Sequence, residues 1–528
     1  MKNSSDNFGY NECVSRGVCS VIPSIAALQE VMLVILRQSS YYVLKLESAK
    51  VDVSGIKSSI INIIANYMFL PELNEVSLIS VVAYSYGNLL SLKERYKAHC
   101  KDFNIKYKDV NSLLQISSAM SMSQIITLGE KIFRDKYKKA TTLRKNYSEL
   151  LFILIRSFAS SVVKLNSFGI TSSKYSDMIV QSLDLLNRHQ VSAEKFSSWV
   201  DTLVQADNEI KNIIFEKQQE FFGSLKLKEV SHSTTKGKAI LVSGSSLSDL
   251  KKIIDIAEGY DVDIYTHGEL IAAHSYENFA KSQLLKGHYG YCYNNCLLDF
   301  ATFPGPILLT KGYGINTEYI YRGRLFSTSP INSPSVVRIR ENEFMSVIES
   351  AQNSKGFAKG QLRNSEFVGI DYENIDSLIE NILSQFNENK FTQLLVLDFN
   401  PSLCTEDDNW LKSVPDNVFI ISFMKLSFKR KNLLSINFGN NRDLILFFVK
   451  YFSKKLYENV DKISVLLSLN EVFSISALLY LKGFANVELY ITDSSKRILN
   501  PLIEKFFDEY YNIRKLDNVE SIIKNIKF

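Results

Sequence analysis

Ala239-Ile-Leu-Val-Ser243, the helical stretch Leu247–Ala257 and Val262-Asp-Ile-Tyr-Thr266 follow one another directly in this chain. The first and third are short β-rich runs, apolar enough to be buried on both faces, and the middle segment has helical character. A strand, a helix and a second strand in that order predict a parallel sheet with helices packed on its faces. Pro306-Ile-Leu-Leu-Thr310 extends the same pattern. It weakens over the polar, glycine-bearing Asn353–Gly360 and then restarts with Gln393-Leu-Leu-Val-Leu-Asp398, Asn417-Val-Phe-Ile-Ile-Ser422, Ile463-Ser-Val-Leu-Leu467 and Val487-Glu-Leu-Tyr-Ile491. Helices are expected between these strands at Asp443–Tyr457 and Glu471–Leu481.

Upstream of Lys238 the character is different. From Ser24 to Gln219 the chain reads as helix almost throughout, with Leu28, Val31, Met32, Ile35 and Leu36, and later Leu150, Leu151, Leu154, Phe158 and Val162, at helical spacing. Pro23 and Pro71 are the only prolines before Pro304. The predicted architecture is therefore a helical bundle (1–225) followed by two Rossmann-like α/β domains (226–360 and 361–528).

The composition sets limits on function. The chain has 528 residues, 46% of them hydrophobic and 22% charged, as expected of a folded globular protein. Sixty-one basic and fifty-six acidic residues leave a net charge of +5, too small to draw the chain to nucleic acid or a membrane surface. Leu28–Leu46 is apolar but interrupted by Gln29, Glu30, Arg37, Gln38 and Lys45, so it reads as an amphipathic helix and not as a membrane span. The polar start resembles no secretory signal, and a cytoplasmic location is expected. Six cysteines in so long a chain do not make a disulfide framework.

Four stretches together resemble the hybrid-cluster (prismane, hydroxylamine reductase) family, with carbon monoxide dehydrogenases as more distant relatives. They are Cys13-Val-Ser-Arg-Gly-Val-Cys19 with Leu28-Gln29; Ile240-Leu-Val-Ser-Gly244 through Val262-Asp-Ile-Tyr-Thr-His-Gly-Glu269 to Ala273-His274; Tyr289-Gly290 with Phe303-Pro-Gly-Pro-Ile-Leu-Leu-Thr310; and Ser468-Leu-Asn-Glu471. The resemblance runs nearly end to end and implies the same layout, a helical domain and two Rossmann-like domains.

It also implies a ligand set. In the family one histidine, two glutamates and four cysteines hold a mixed iron–sulfur–oxygen cluster, thiolates serving the sulfide-bridged irons and harder ligands the oxygen-bearing end. Here the histidine position is Ser245 and the first glutamate is Glu269. The first cysteine falls on Tyr313, and the later ones fall near Phe399, Phe423 and Gly439. The second glutamate is Glu471, and the lysine expected two residues later is Phe473. Cys404, close to Phe399, is a candidate displaced ligand. Two carboxylates do not replace thiolates, so the hybrid cluster is expected to be absent. Glu269 and Glu471 read either as hydrogen-bonded remnants or as part of a remodelled metal site with His267 or His274. Packing is the simpler role for both histidines.

The family's N-terminal cluster uses four cysteines, of which Cys13 and Cys19 remain. One subunit's pair is incomplete, but a two-fold dimer brings four thiolates together, as in the subunit-bridging cluster of the carbon monoxide dehydrogenases. A [4Fe-4S] cluster shared by two subunits is one reading of the pair. Free thiols or a redox couple are the others. Cys292 and Cys296, at a C-x3-C spacing read as one helix face, lack nearby partners for a metal and are expected to pack. No phosphate-binding loop is present, since Gly312-Tyr-Gly314 lacks the third glycine and acidic partner of a dinucleotide site.

Three functions follow: a dimeric iron–sulfur protein for electron transfer or redox sensing with an unidentified electron partner, a hydroxylamine or nitric oxide reductase with a remodelled metal centre, or a metal-free scaffold.

Overall fold

The computed structural model describes residues 22–68, 75–110, 120–135, 141–188, 191–290, 296–310, 321, 323–328, 336–340, 343–388, 390–398, 408–423, 426, 429–439, 441–468, 472–492, 507, 509 and 511–516. It separates into two compact units. The first comprises Met1–Ile214, Leu469–Tyr480 and Ser495–Lys515, and the second Phe215–Ser468, Leu481–Ser494 and Leu516–Phe528.

The first unit is helical, as its periodicity predicts. Its helices span Pro23–Ser48, Ser54–Tyr67, Glu75–Asp102, Met122–Asp135, Thr142–Ser167, Ser173–Asn187 and most of Ala193–Phe222. Pro23 stands in the first turn of its helix, where its missing N–H costs nothing. That helix buries Leu28, Val31, Met32, Ile35 and Leu36 on one face. The helix Met122–Asp135 approaches it through Gly129: a Cβ there would lie 2.1 Å from the Ala27 carbonyl oxygen, so only glycine permits the contact. The helix Val472–Leu481 is drawn into this unit by polar contacts. Buried Asp207 accepts hydrogen bonds from Ser476 Oγ (2.6 Å), Ser161 Oγ (2.7 Å) and Lys211 Nζ (2.6 Å). The ammonium and the two hydroxyls hold its carboxyl below the ordinary aspartate range against the opposing effect of burial.

The second unit holds one six-stranded sheet and all of another but residues 514 and 515. The first is built from β2 (Ala239–Ser243), β3 (Asp263–His267), β4 (Leu285–His288), β5 (Ile307–Leu309), β6 (Leu325–Ser327) and β7 (Val336–Arg338), in the order β4-β3-β2-β5-β6-β7. The second is built from β9 (Gln393–Leu397), β10 (Val418–Ser422), β11 (Leu433–Ser435), β12 (Lys462–Ser468), β13 (Val487–Thr492) and β14 (Arg514–Leu516), in the order β11-β10-β9-β12-β13-β14. Counted along the chain, both orders are 3-2-1-4-5-6, the doubly wound Rossmann order, and the described pairings are parallel. The α plus α/β architecture read from the sequence is the architecture observed.

One detail departs from that reading. A two-stranded antiparallel ribbon, β1 (Lys228–Ser231) with β8 (Ser365–Val368), joins residues far apart in sequence. It buries Val230 and Val368 against Ile271, and its short, half-polar strands carry no pattern strong enough to predict. Of the C-x3-C pair, Cys296 begins the helix Cys296–Thr302, and Cys292 lies outside the described residues.

Candidate functional site

In a doubly wound sheet the ligand-binding edge lies beyond the carboxyl ends of the strands, beside the point where the strand order reverses. In the first sheet that point lies between β2 and β5. Ser243 ends β2, and its carbonyl accepts both the backbone N–H of Thr310 (2.7 Å) and the Thr310 hydroxyl (3.0 Å). Thr310 Oγ1 in turn accepts from the Ser246 N–H (3.2 Å), where the helix Leu247–Ala257 begins. Ser246 caps that helix by accepting from the Asp249 N–H. Ser245, at the family's histidine position, is half-buried in this turn.

The neighbouring strand ends at His267, level with Ser243 in the ladder. Ser243 Oγ lies 2.8 Å from His267 Nδ1, and Asp299 Oδ2 lies 3.3 Å from His267 Nε2. Gly268–Ser275 then turns as a 3-10 helix. It places Glu269 half-buried in its first turn and buries Ile271 and His274 farther along. Both histidines are buried.

The corresponding edge of the second sheet is closed differently. Asp398 follows β9 and is held by an ion pair with Arg442 (2.7 Å), both side chains being almost wholly buried. Phe423 follows β10 and is completely buried. Its ring lies parallel to Phe438 at 6.4 Å and tilted against Phe452 at 6.4 Å. Gly439 has φ +58°, and a Cβ there would lie 2.4 Å from Ile271 Cγ2. The structure thus brings the turn that carries Glu269 against Gly439, two positions the sequence resemblance assigned to one site.

Cys13, Cys19, Tyr313, Phe399, Cys404 and Glu471, and the side chain of Phe473, lie outside the described residues. Among the described residues no group of three or more His, Cys, Asp or Glu side chains is arranged to hold a metal. Among them, too, no helix is long and apolar enough to cross a membrane. Cys100 is a buried free thiol. Sequence reasoning missed the Asp398–Arg442 pair. A charged residue at a strand end is ordinary on a surface, and only the fold shows that this one is buried.

Residues 10–384 match the model of the Prismane/CO dehydrogenase family. The chain belongs to this family. It is 23% identical to the hydroxylamine reductase of Thermodesulfovibrio yellowstonii over 98% of each chain. To the hydroxylamine reductase of Zymomonas mobilis it is 24% identical over 73% of this chain and 70% of the other. With that of Rhodospirillum rubrum the identity is 23%, over 78% and 75%. Among solved structures it is similar to a chain of an acetyl-CoA synthase/carbon monoxide dehydrogenase structure described with NiZn[Fe4S4] and NiNi[Fe4S4] clusters in its alpha subunits. That match has a TM-score of 0.45 and 10% identity, covering 95% of this chain and 81% of the other.

For a member of this family, the described residues at the cluster edge fit a thiolate-bound centre poorly. Ser245 offers a hydroxyl where the resemblance expects an imidazole. Phe423 offers no donor and is enclosed by other rings, and Gly439 has a methyl group where a side chain would project. Iron–sulfur cores need soft sulfur ligands, and none of these positions supplies one.

Proposed function

We propose that this member of the Prismane/CO dehydrogenase family lacks the hybrid cluster. Its redox centre is instead a [4Fe-4S] cluster shared between two subunits through Cys13 and Cys19. Its role is electron transfer or redox sensing with a protein electron partner, and not hydroxylamine reduction. One observation carries the reading: at Phe423 and Gly439, positions that the resemblance matches to cluster cysteines, a buried ring packed on Phe438 and the Ile271 methyl group already occupy the space. A thiolate-bound cluster requires those ligands, whereas the N-terminal loop keeps two thiols that a two-fold axis would double.

A second reading is a reductase with a remodelled centre. Retention of Glu269 and the hydroxylamine reductases among the relatives favour it. The retained carboxylate would bind a hard metal such as iron or manganese without sulfide. A metal-free scaffold is the third.

Iron and acid-labile sulfide, measured per subunit on anaerobically purified protein, separate the three. The bridged cluster predicts about two irons per chain, with matching sulfide, lost together with dimerisation in Cys13→Ser. About eight irons per chain with hydroxylamine turnover would overturn the proposal. Iron without sulfide, surviving Cys13→Ser but lost in Glu269→Gln, supports the remodelled centre. Metal-free protein leaves the scaffold.

A further inference from the structure

Beyond β1 and β8 the antiparallel ribbon continues to a second, basic end. Gly237 and Phe357 exchange both backbone hydrogen bonds (3.1 and 2.8 Å), and so do Thr234 and Gln361 (2.9 and 3.0 Å). Phe357 anchors this end, its ring edge-on to Phe303 at 5.4 Å and to Tyr265 at 5.8 Å. Two glycines let the segments approach closely. Gly356 has φ +67°, and a Cβ there would lie 2.3 Å from the Gly237 carbonyl oxygen, while a Cβ at Gly360 would lie 2.8 Å from that of Thr234. Pairing and packing together fix the backbone here.

The charge on this end has one sign. Between Glu229 and Asp249, and again between Glu349 and Glu366, the sequence has no acidic residue. Lys236, Lys238, Lys355, Lys359 and Arg363 all fall within those two stretches. Lys238 Nζ donates to the Ser354 carbonyl, and the Arg363 guanidinium lies over the Tyr289 ring, 5.3 Å from its centroid. Lys236, Lys355 and Lys359 are exposed and make no ion pair among the described residues. The carboxylates that the ribbon carries or touches are already engaged. Asp263 accepts from Thr235 and pairs with Lys286 (3.5 Å), Glu229 accepts from Ser365, and Glu366 meets His232 (2.6 Å).

Between Lys359 and Arg363 stands Leu362, 98% exposed and the most exposed large apolar side chain among the described residues. A single exposed leucine is ordinary on a protein surface. One held on a paired strand among unpaired cations has the anatomy of an interface, an apolar centre with a charged rim.

We propose that this end of the ribbon is a docking surface for an acidic protein segment, which sets carboxylates against Lys236, Lys355 and Lys359 and an apolar side chain on Leu362. Magnitudes select a protein over other polyanions. Strongly bound nucleic acid typically has about 6–10 phosphates neutralised, and its backbone makes no use of an apolar side chain. Five cations, one of them committed to Ser354, fall short of that number. A membrane surface needs more apolar depth than one leucine, since even a myristoyl chain binds only marginally. A fixed strand pair loses little freedom on binding, which suits a loop or peptide laid along it. This surface is independent of the redox reading above, which requires neither Leu362 nor these lysines.

Fluorescence anisotropy on the full chain tests the proposal, with a labelled peptide of about twelve residues, half of them glutamate, around a central phenylalanine. At about 0.1 M salt, where charges are screened beyond about 10 Å, the peptide should bind saturably, and about 1 M salt should remove most of the binding without any substitution. Lys355→Glu combined with Lys359→Glu should weaken binding on the order of tenfold. Lys131→Glu, which reverses an exposed cation on the helix Met122–Asp135, should leave it unchanged. Leu362→Ser should weaken the peptide by roughly threefold to tenfold, and should not affect a version with serine in place of the phenylalanine. All these positions are exposed, and circular dichroism of each variant should match the wild type. Absence of saturable binding overturns the proposal, as does a Leu362→Ser variant that affects both peptides alike or neither. A short DNA duplex, or vesicles of phosphatidylcholine and phosphatidylserine, bound more tightly than the peptide at the same salt would overturn it in favour of nucleic acid or membrane.

Discussion

The two sheets of the second unit share one strand order but finish their strands in opposite ways. The first ends in polar side chains: Ser243, His267, His288 and Thr310 are all buried at or just beyond the carboxyl edge, tied to one another and to backbone by hydrogen bonds. Among the described residues the second carries Phe423 and Phe438, packed as core, beside the buried Ser422 and the buried Asp398–Arg442 pair. A shared topology thus places a binding edge in both, while the side chains decide whether anything binds there. At the second edge, Phe423 and Phe438 are wholly buried.

The contrast can be broken experimentally, beginning where the effect is largest. Asp398→Ala should destabilise the second unit by about 3–5 kcal/mol, because it leaves the Arg442 charge buried without its counter-ion. Chemical denaturation followed by tyrosine fluorescence would measure it, and a loss below about 1 kcal/mol would mean that water reaches the pair.

Gly439→Cys restores a thiol at a family ligand position, and it should cost roughly 1–3 kcal/mol, because the new Cβ meets Ile271 Cγ2 in a left-handed backbone conformation. Adding Ile271→Ala should recover only the steric part. A Gly439→Cys protein of unchanged stability that gains iron would show that this edge is still open to a cluster.

The smallest effect belongs to the first sheet. Thr310→Val should cost about 1 kcal/mol. The Thr310 backbone N–H continues to serve the Ser243 carbonyl, and only the Ser246 N–H loses its acceptor. A much larger loss would mean that the hydroxyl organises the whole β2–β5 turn.

Much of this was legible before any coordinates. The runs at Ala239–Ser243, Gln393–Leu397 and Val418–Ser422 are apolar at successive positions because both faces of a doubly wound sheet are buried, and they form strands at those places. The helix predicted over Asp443–Tyr457 is found at Arg442–Leu456, with Asn441 as its cap. Of the candidate site, the identities of Ser245, Glu269, Phe423 and Gly439 were readable by position. What surrounds them was not. The ribbon β1–β8 escaped notice because each strand is four residues long and half exposed, which leaves too few positions for a period to show.

By itself the sequence determined the helical part and the α/β part, and it set Ser245, Tyr313, Phe423 and Gly439 at the positions where the resemblance expects imidazole and thiol ligands. These are properties of local periodicity and of residue identity at matched positions. The tertiary structure alone decided that Ile271 occupies the space over Gly439, that Arg442 neutralises Asp398 in the interior, and that His274 and His288 meet on the hydroxyl of Thr266. The reason is the range of the interactions. Hydrogen-bond geometry, burial and charge neutralisation depend on groups that lie close in space and far apart along the chain, and no spacing rule within a helix or strand encodes them.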